Sequence, residues 1–386
     1  MKKILKFSRA LVAVLVLFLL LTTASDHADP ISLTTLDPGI TGLFAFSKGD
    51  DLVVILTVRR GLTSPPPYEL HNLEYSINFD LTSKVLLGNA ENNARYGGTV
   101  KEPDQIAHDV AIRFRLNGEA ELQTGYPMYD GKTTLNNYQQ FPVEVGVYDD
   151  PFIFPPFFQK NIIAMAVSIP FASFPANQQN WLIWATSNDA DSGEKIDHVG
   201  RANRSQLGRF DFINTLHPSE HVHAIHERSE DGMSVQRGLT HLMGHFLPVG
   251  SIAGLFEYVL QIRPYDLFPD VMIFSTRQEA GLGFPNGRRL TDDIAGLTCV
   301  QGDCVLQEVA LINGAWPRAL VNDRPFSDQF PYLGEPWPDQ QEVVHSDNHM
   351  LILLLIIAAL IVAYILWRRR KLKVEETPYV KPYRHR

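Results

Sequence analysis

The chain has 386 residues, 45% of them apolar, and a formal net charge of −9. Four cations open it (Lys2, Lys3, Lys6 and Arg9), and eight against Glu375 and Glu376 close it from Arg368 to Arg386, so everything between carries −19. This apolar content excludes wholesale disorder, and an acidic body excludes nucleic acid as a partner, because phosphate neutralisation needs clustered cations.

Residues 1–24 read as a secretory signal. The basic start is followed by an apolar stretch from Ala10 to Leu21, and Thr22 and Ala24 suit a cut before Ser25. That stretch is too short to cross a bilayer core of roughly 30 Å; an uncleaved anchor is the alternative. Cleavage leaves a free amine on Ser25, then Asp26, then His27. An amine, two deprotonated amides and an imidazole at this spacing form a four-nitrogen plane suited to Cu(II) or Ni(II), whereas His27 held by Asp29 is the structural alternative.

From Gly42 onward, short apolar runs alternate with turn residues: Gly42 to Phe46, Leu52 to Val58, Leu73 to Phe79, Val110 to Leu116, Phe141 to Val147, Ile162 to Ile169 and Trp181 to Thr186. Val, Ile, Phe and Tyr fill them, and Pro, Gly, Asn and Asp bound them, which predicts strands. Tyr75 to Phe79 and Ile112 to Leu116 alternate with period two, the mark of half-buried antiparallel strands. Asp149-Asp150-Pro151 predicts a turn into a buried aromatic strand, and Asn188 to Glu194 an acidic surface turn without the full spacing of a calcium loop.

Helical signals begin after residue 210. Pro218-Ser219-Glu220 predicts a helix start, and Val235 to Phe246 and Ile252 to Ile262 predict further helices broken by Pro248 and Gly250. Histidines gather here: His217, His221, His223, His226, His241 and His245. His217 and His221, and His241 and His245, are spaced i, i+4, which lets two imidazoles share zinc or copper, with Glu220 or Glu227 as a further ligand or base. The competing expectation is a solvated, histidine-rich surface helix. Cys299 and Cys304 flank a short loop bent at Gly302; a structural disulfide is expected, with a redox dithiol as the alternative.

Asp323 to Pro338 predicts irregular chain, and residues 339–349 a polar stalk. Met350 to Trp367 holds eighteen uncharged residues, long enough at 1.5 Å each to span roughly 27 Å. Arg368-Arg369-Arg370-Lys371 follow as a stop-transfer signal, leaving 368–386 as a basic cytoplasmic tail. The expected partners are therefore the lipid bilayer through residues 350–367 and a protein in the membrane or periplasm.

Several segments resemble one family, the bacterial extracytoplasmic proteins grouped as domain of unknown function 4331 (DUF4331). They are Ser25-Asp26-His27-Ala28-Asp29-Pro30-Ile31, Asp37-Pro38 with Leu43 to Phe46, Asp149-Asp150-Pro151-Phe152-Ile153-Phe154, Asp197-His198-Val199-Gly200-Arg201, Ile213-Asn214-Thr215, and Phe284-Pro285-Asn286-Gly287-Arg288-Arg289-Leu290-Thr291-Asp292-Asp293. Gly42, where an acidic residue is usual, and the histidines after Thr215 depart from it. The resemblance implies a β-rich secreted or anchored domain over residues 25–338 and supplies no activity; its Asp-Asp-Pro-Phe element is distantly similar to haem- or sugar-binding periplasmic folds. Within these motifs, Asn286-Gly287 predicts a tight turn with positive φ, and Arg288 or Arg289 can pair with Asp292 or Asp293.

The expected architecture is mainly β: an antiparallel two-sheet sandwich with an appended helical subregion, plus one C-terminal transmembrane helix. The expected function is that of a non-catalytic, membrane-anchored extracytoplasmic binding or structural protein. A periplasmic copper-, zinc- or haem-binding protein of electron transfer or metal handling is the alternative, and a metal-dependent hydrolase a third. No hydrolase elbow, phosphate loop or dinucleotide fingerprint occurs.

Overall fold

The computed structural model describes residues 38–59, 62, 66–131, 135–154, 157–202, 211–227, 267–277, 281–294, 296–297 and 320–338, all within the unit Met1–Pro338. These residues are mainly β, in antiparallel sheets with few helices.

One sheet has the order β1 (Ile40–Lys48), β2 (Asp51–Val58), β9 (Asn161–Pro170), β8 (Val143–Asp149), and every pairing in it is antiparallel. The other runs β11 (Lys195–Val199), β10 (Asn180–Asp189), β3 (Leu73–Asp80), β6 (Val110–Phe114), β7 (Met128–Gly131). A sixth strand, β12 (Met272–Ser275), pairs with residues 180–183 of β10, whose other end carries β11. A two-stranded ribbon joins β4 (Val85–Leu86) to β5 (Thr99–Val100).

Alternation decides which residues meet. Leu52, Val54, Leu56 and Val58 of β2 and Ile163, Met165, Val167 and Ile169 of β9 share one core with Tyr75, Ile77 and Phe79 of β3 and Ile112 and Phe114 of β6. On their reverse faces, Val53, Ile55, Ile162, Ala164 and Ala166 are also buried, beneath Leu290, Leu333, Phe326 and Tyr332. Strands covered on both faces show as continuous apolar runs, which is how β2 and β9 read. β3 also has a polar reverse face, yet Ser76, Asn78 and Asp80 are buried there, which corrects the expected half-buried strand; at its start Glu74 takes Arg113 at 3.0 Å and Arg115 at 3.3 Å. A third cluster covers the reverse face of β10, with Leu182, Trp184 and Ile273 beneath Tyr96 and Phe268, whose rings stack at 4.1 Å.

Helix α1 (Ala90–Tyr96) is capped at both ends: Asn89 accepts from the Asn92 amide, and Gly97 closes it with φ +80°. Helix α2 occupies residues 218–227. It starts where Pro218 fixes the first turn, and Glu220 reaches back to the His217 N–H at 3.0 Å.

All seven apolar runs are strands. The sequence reading omitted β4, β5, β7, β11 and β12. One expectation is corrected: residues 150–154 are not a strand. The Asp150 carboxylate accepts from the Phe152 N–H at 3.0 Å and turns the chain, so Phe152 and Phe154 are buried against Phe157 from irregular backbone. Residues 1–37, 228–266 and 339–386 lie outside the described residues, and with them the expected signal, the second and third helices, the stalk, the membrane span and the tail. Among the described residues, no helix is long and apolar enough to cross a membrane.

Candidate functional site

A cavity of about 690 Å³ opens where the β1–β2 turn, the exit of β9, the entry of β10 and the exit of β12 meet. The volume falls in the range of small-molecule sites. Local structure sets its aromatic wall. Trp181 and Phe274 are register partners across β10 and β12, so their rings share a face. Phe171 follows β9 directly, fixed by its N–H to the Asp50 carbonyl at 2.9 Å. The three rings stand 5.7–6.2 Å apart with planes within 19° of one another, and Phe174 closes on Trp181 at 4.5 Å from behind. Trp181 and Phe274 are buried, while Phe171 and Phe46 are half-buried.

The opposite side is built from residues 281–289. Asn286 is buried and acts as a short piece of strand. Its Oδ1 accepts from the Ser275 N–H at 2.7 Å, and its Nδ2 donates to the carbonyls of Ser275 and Gly281 at 2.9 and 2.7 Å. Gly287, with φ +72°, sends the chain back beside β1, where Arg288 and Ala45 exchange two backbone bonds. Arg289 then lies on the cavity rim. Asp292 Oδ1 takes its Nε and Nη2 at 2.9 and 2.8 Å, and Asp292 Oδ2 takes the backbone N–H groups of Arg289 and Phe284 at 2.7 and 2.9 Å. Four donors compensate this buried carboxylate and fix the guanidinium edge-on. Arg277 lines the same cavity.

The motif residues are thus divided. Asn286, Gly287, Arg289 and Asp292 build or support the cavity. Arg288 instead lies buried over Phe44, its guanidinium carbon 3.9 Å from the ring centroid. Asp293 accepts from the Gly296 N–H at 3.3 Å. Asp150 makes the turn described above. Asp149 is buried elsewhere, holding Trp337 Nε1 and Asn322 Nδ2 at 2.6 Å each. Burial pushes its carboxyl up to about 6, with Asp323 and Asp150 adding to the rise and those two donors opposing it.

The four described histidines of this group, His217, His221, His223 and His226, do not converge. His217 caps α2, its Nδ1 2.8 Å from Ser219 Oγ, and its imidazole pKa is lowered first by burial and then by Lys195 and His108. His221 is buried with both ring nitrogens engaged: Nδ1 accepts from the Asp270 N–H and Nε2 donates to the Leu216 carbonyl, each at 3.1 Å. His223 is exposed beside Glu227 at 3.2 Å, and His226 is exposed. Among the described residues, no three His, Cys, Asp or Glu side chains are grouped to hold a metal ion. Ser25, Asp26, His27, His241, His245, Cys299 and Cys304 lie outside the described residues.

Sequence reasoning missed two features. Of the aromatic wall only Trp181 lay in an expected strand run; Phe171 and Phe274 lay in none, and the β10–β12 pairing that assembles the wall joins residues far apart in the chain. Lys195, on β11, donates to the Leu216 carbonyl at 2.6 Å, and burial lowers its pKa to about 8. It braces the entry of α2 rather than facing the cavity.

No protein-family model matches the chain, and no curated protein matches its sequence.

Proposed function

We propose that the chain is a membrane-anchored extracytoplasmic binding protein, a DUF4331-like β-sandwich that holds a small molecule in the cavity walled by Phe171, Trp181 and Phe274. A signal over residues 1–24 and a single crossing at residues 350–367 place the body outside the cytoplasm and the tail within. The single observation that carries the reading is the composition of the cavity. Its wall is aromatic, and its lining holds Gln178, Gln179, Arg277 and Arg289 but no Asp, Glu, His or Cys among the described residues. Apolar walls with a few placed polar groups are what small ligands require. Nucleophilic or acid–base catalysis needs a base near the substrate, and the described lining residues supply no carboxylate, imidazole or thiol. Among the lining hydroxyls, Ser275 Oγ donates to Asn180 Oδ1 at 2.6 Å and Thr276 Oγ1 to the Gln179 carbonyl at 3.5 Å.

A thermal-shift screen of the purified full chain against a broad set of neutral and charged metabolites tests the reading. At least one compound raises the unfolding midpoint in a saturable way, and Phe171→Ala abolishes that rise. A screen in which nothing shifts the midpoint contradicts it.

A further inference from the structure

Resting on the reading of this cavity as a ligand site, we propose that its ligand is a small organic anion with a flat unsaturated ring, the ring set against Phe171 and Trp181 and the anionic group taken by Arg289.

Charge is the first argument. The chain carries −9, yet the described residues lining this cavity include two arginines and no carboxylate. Asp292 neutralises Arg289 only from behind. It occupies the Nε–Nη2 edge and is almost wholly buried, whereas the Arg289 side chain is 51% exposed. A guanidinium anchored on one edge by a carboxylate presents its remaining N–H groups in a fixed plane, which suits a carboxylate, sulfonate or phosphate. Gly283 permits this placement. With φ +80°, it lies so close that a Cβ there would stand 2.4 Å from Arg289 Nε.

Shape and an unmet polar atom are the second argument. Three rings with nearly parallel planes offer a flat ligand an offset stack, a geometry that aromatic pairs favour. Trp181 is 2% exposed and its Nε1 has no hydrogen-bond partner. Buried polar atoms are normally paired, so a ligand carrying an acceptor beside its ring completes this indole donor.

The test uses the full chain in mild detergent and four compounds: naphthoate, its neutral isostere naphthamide, cyclohexanecarboxylate and maltose. Calorimetric titration is expected to show naphthoate binding at least about tenfold more tightly than the other three, the size of one charge-assisted bond. Arg289→Gln is expected to erase the naphthoate–naphthamide difference. Because that substitution also strands Asp292, a second readout needs no variant: naphthoate is expected to protect Arg289 of the unmutated protein from phenylglyoxal, read by peptide mass spectrometry. Equal binding of naphthamide, preference for maltose, or unprotected Arg289 overturns the organic-anion proposal and leaves the binding reading standing. A metabolite screen without a single shift overturns both.

Discussion

Trp337 donates its indole N–H to Asp149 at 2.6 Å, joining residues 188 positions apart. Asn161 pairs with the Trp337 backbone in both directions, at 2.8 and 2.9 Å, and Asn322 adds its amide to Asp149 at 2.6 Å. These bonds fasten residues 320–338 over the outer face of β2 and β9. Asp149→Ala leaves the indole and amide donors without an acceptor in a buried place, and is expected to cost about 2–4 kcal/mol in urea unfolding. A loss below about 0.5 kcal/mol, the level of an ordinary surface change, would refute this role.

The same carboxyl makes stability depend on pH. Burial raises it to about 6, whereas an unfolded aspartate titrates near 3.9. Between those values the folded chain binds more protons than the unfolded one. The contribution of this group is therefore greatest below about pH 4 and declines as pH rises through 6. The melting midpoint of the unmutated protein minus that of Asp149→Asn is expected to grow as pH is lowered from 7.5 to about 4.5. A difference that stays flat over this window would show that Asp149 titrates normally.

Gly287 lies where a side chain has no room. Its φ is +72°, and a Cβ would stand 2.3 Å from the Ala45 carbonyl oxygen and 2.8 Å from the Phe274 ring. Gly287→Ala is expected to destabilise by about 2 kcal/mol or more, from left-handed backbone strain and displacement of the β1 edge. It is also expected to weaken any ligand of the cavity, because Phe274 must move. Unchanged thermal unfolding would contradict both.

His221 and His223, two residues apart, should behave as opposites. His221→Ala removes the acceptor for the Asp270 N–H and the donor to Leu216, and leaves a void in a fully buried place. About 2–4 kcal/mol is expected to be lost. His223→Ala, at an exposed position, is expected to change stability by less than about 0.5 kcal/mol. Equal effects in chemical denaturation would mean that His221 is not the structural member of this group.

The legible part of the fold was the part with period. β2 and β9 announced themselves because both faces are covered, and β3 and β6 because one face is polar. β11 was hidden: Lys195-Ile196-Asp197-His198-Val199 buries Asp197 and His198, whose polar side chains mask the strand pattern. They are tolerated because Asp197 Oδ2 takes the Ile40 N–H at 2.9 Å and His198 Nε2 donates to the Asp270 carbonyl at 2.7 Å. The Phe152–Phe154 segment misled for the opposite reason, with apolar residues buried from a turn that Asp150 imposes. At the site, spacing left Arg288 or Arg289 open to pair with Asp292 or Asp293, and the structure selects Arg289 with Asp292. Trp181 with Phe274 was not readable, because the pairing that brings them together joins residues far apart in the chain, and local sequence carries no such information.

The proposed role as an extracytoplasmic binding protein holds only if the acidic body is exported. Protease added to intact spheroplasts expressing the full chain, followed with an antibody to the carboxyl-terminal tail, tests that most directly. The account predicts that the body is digested while a short membrane-protected fragment bearing residues 368–386 survives. A body that stays intact until the membrane is lysed would contradict it.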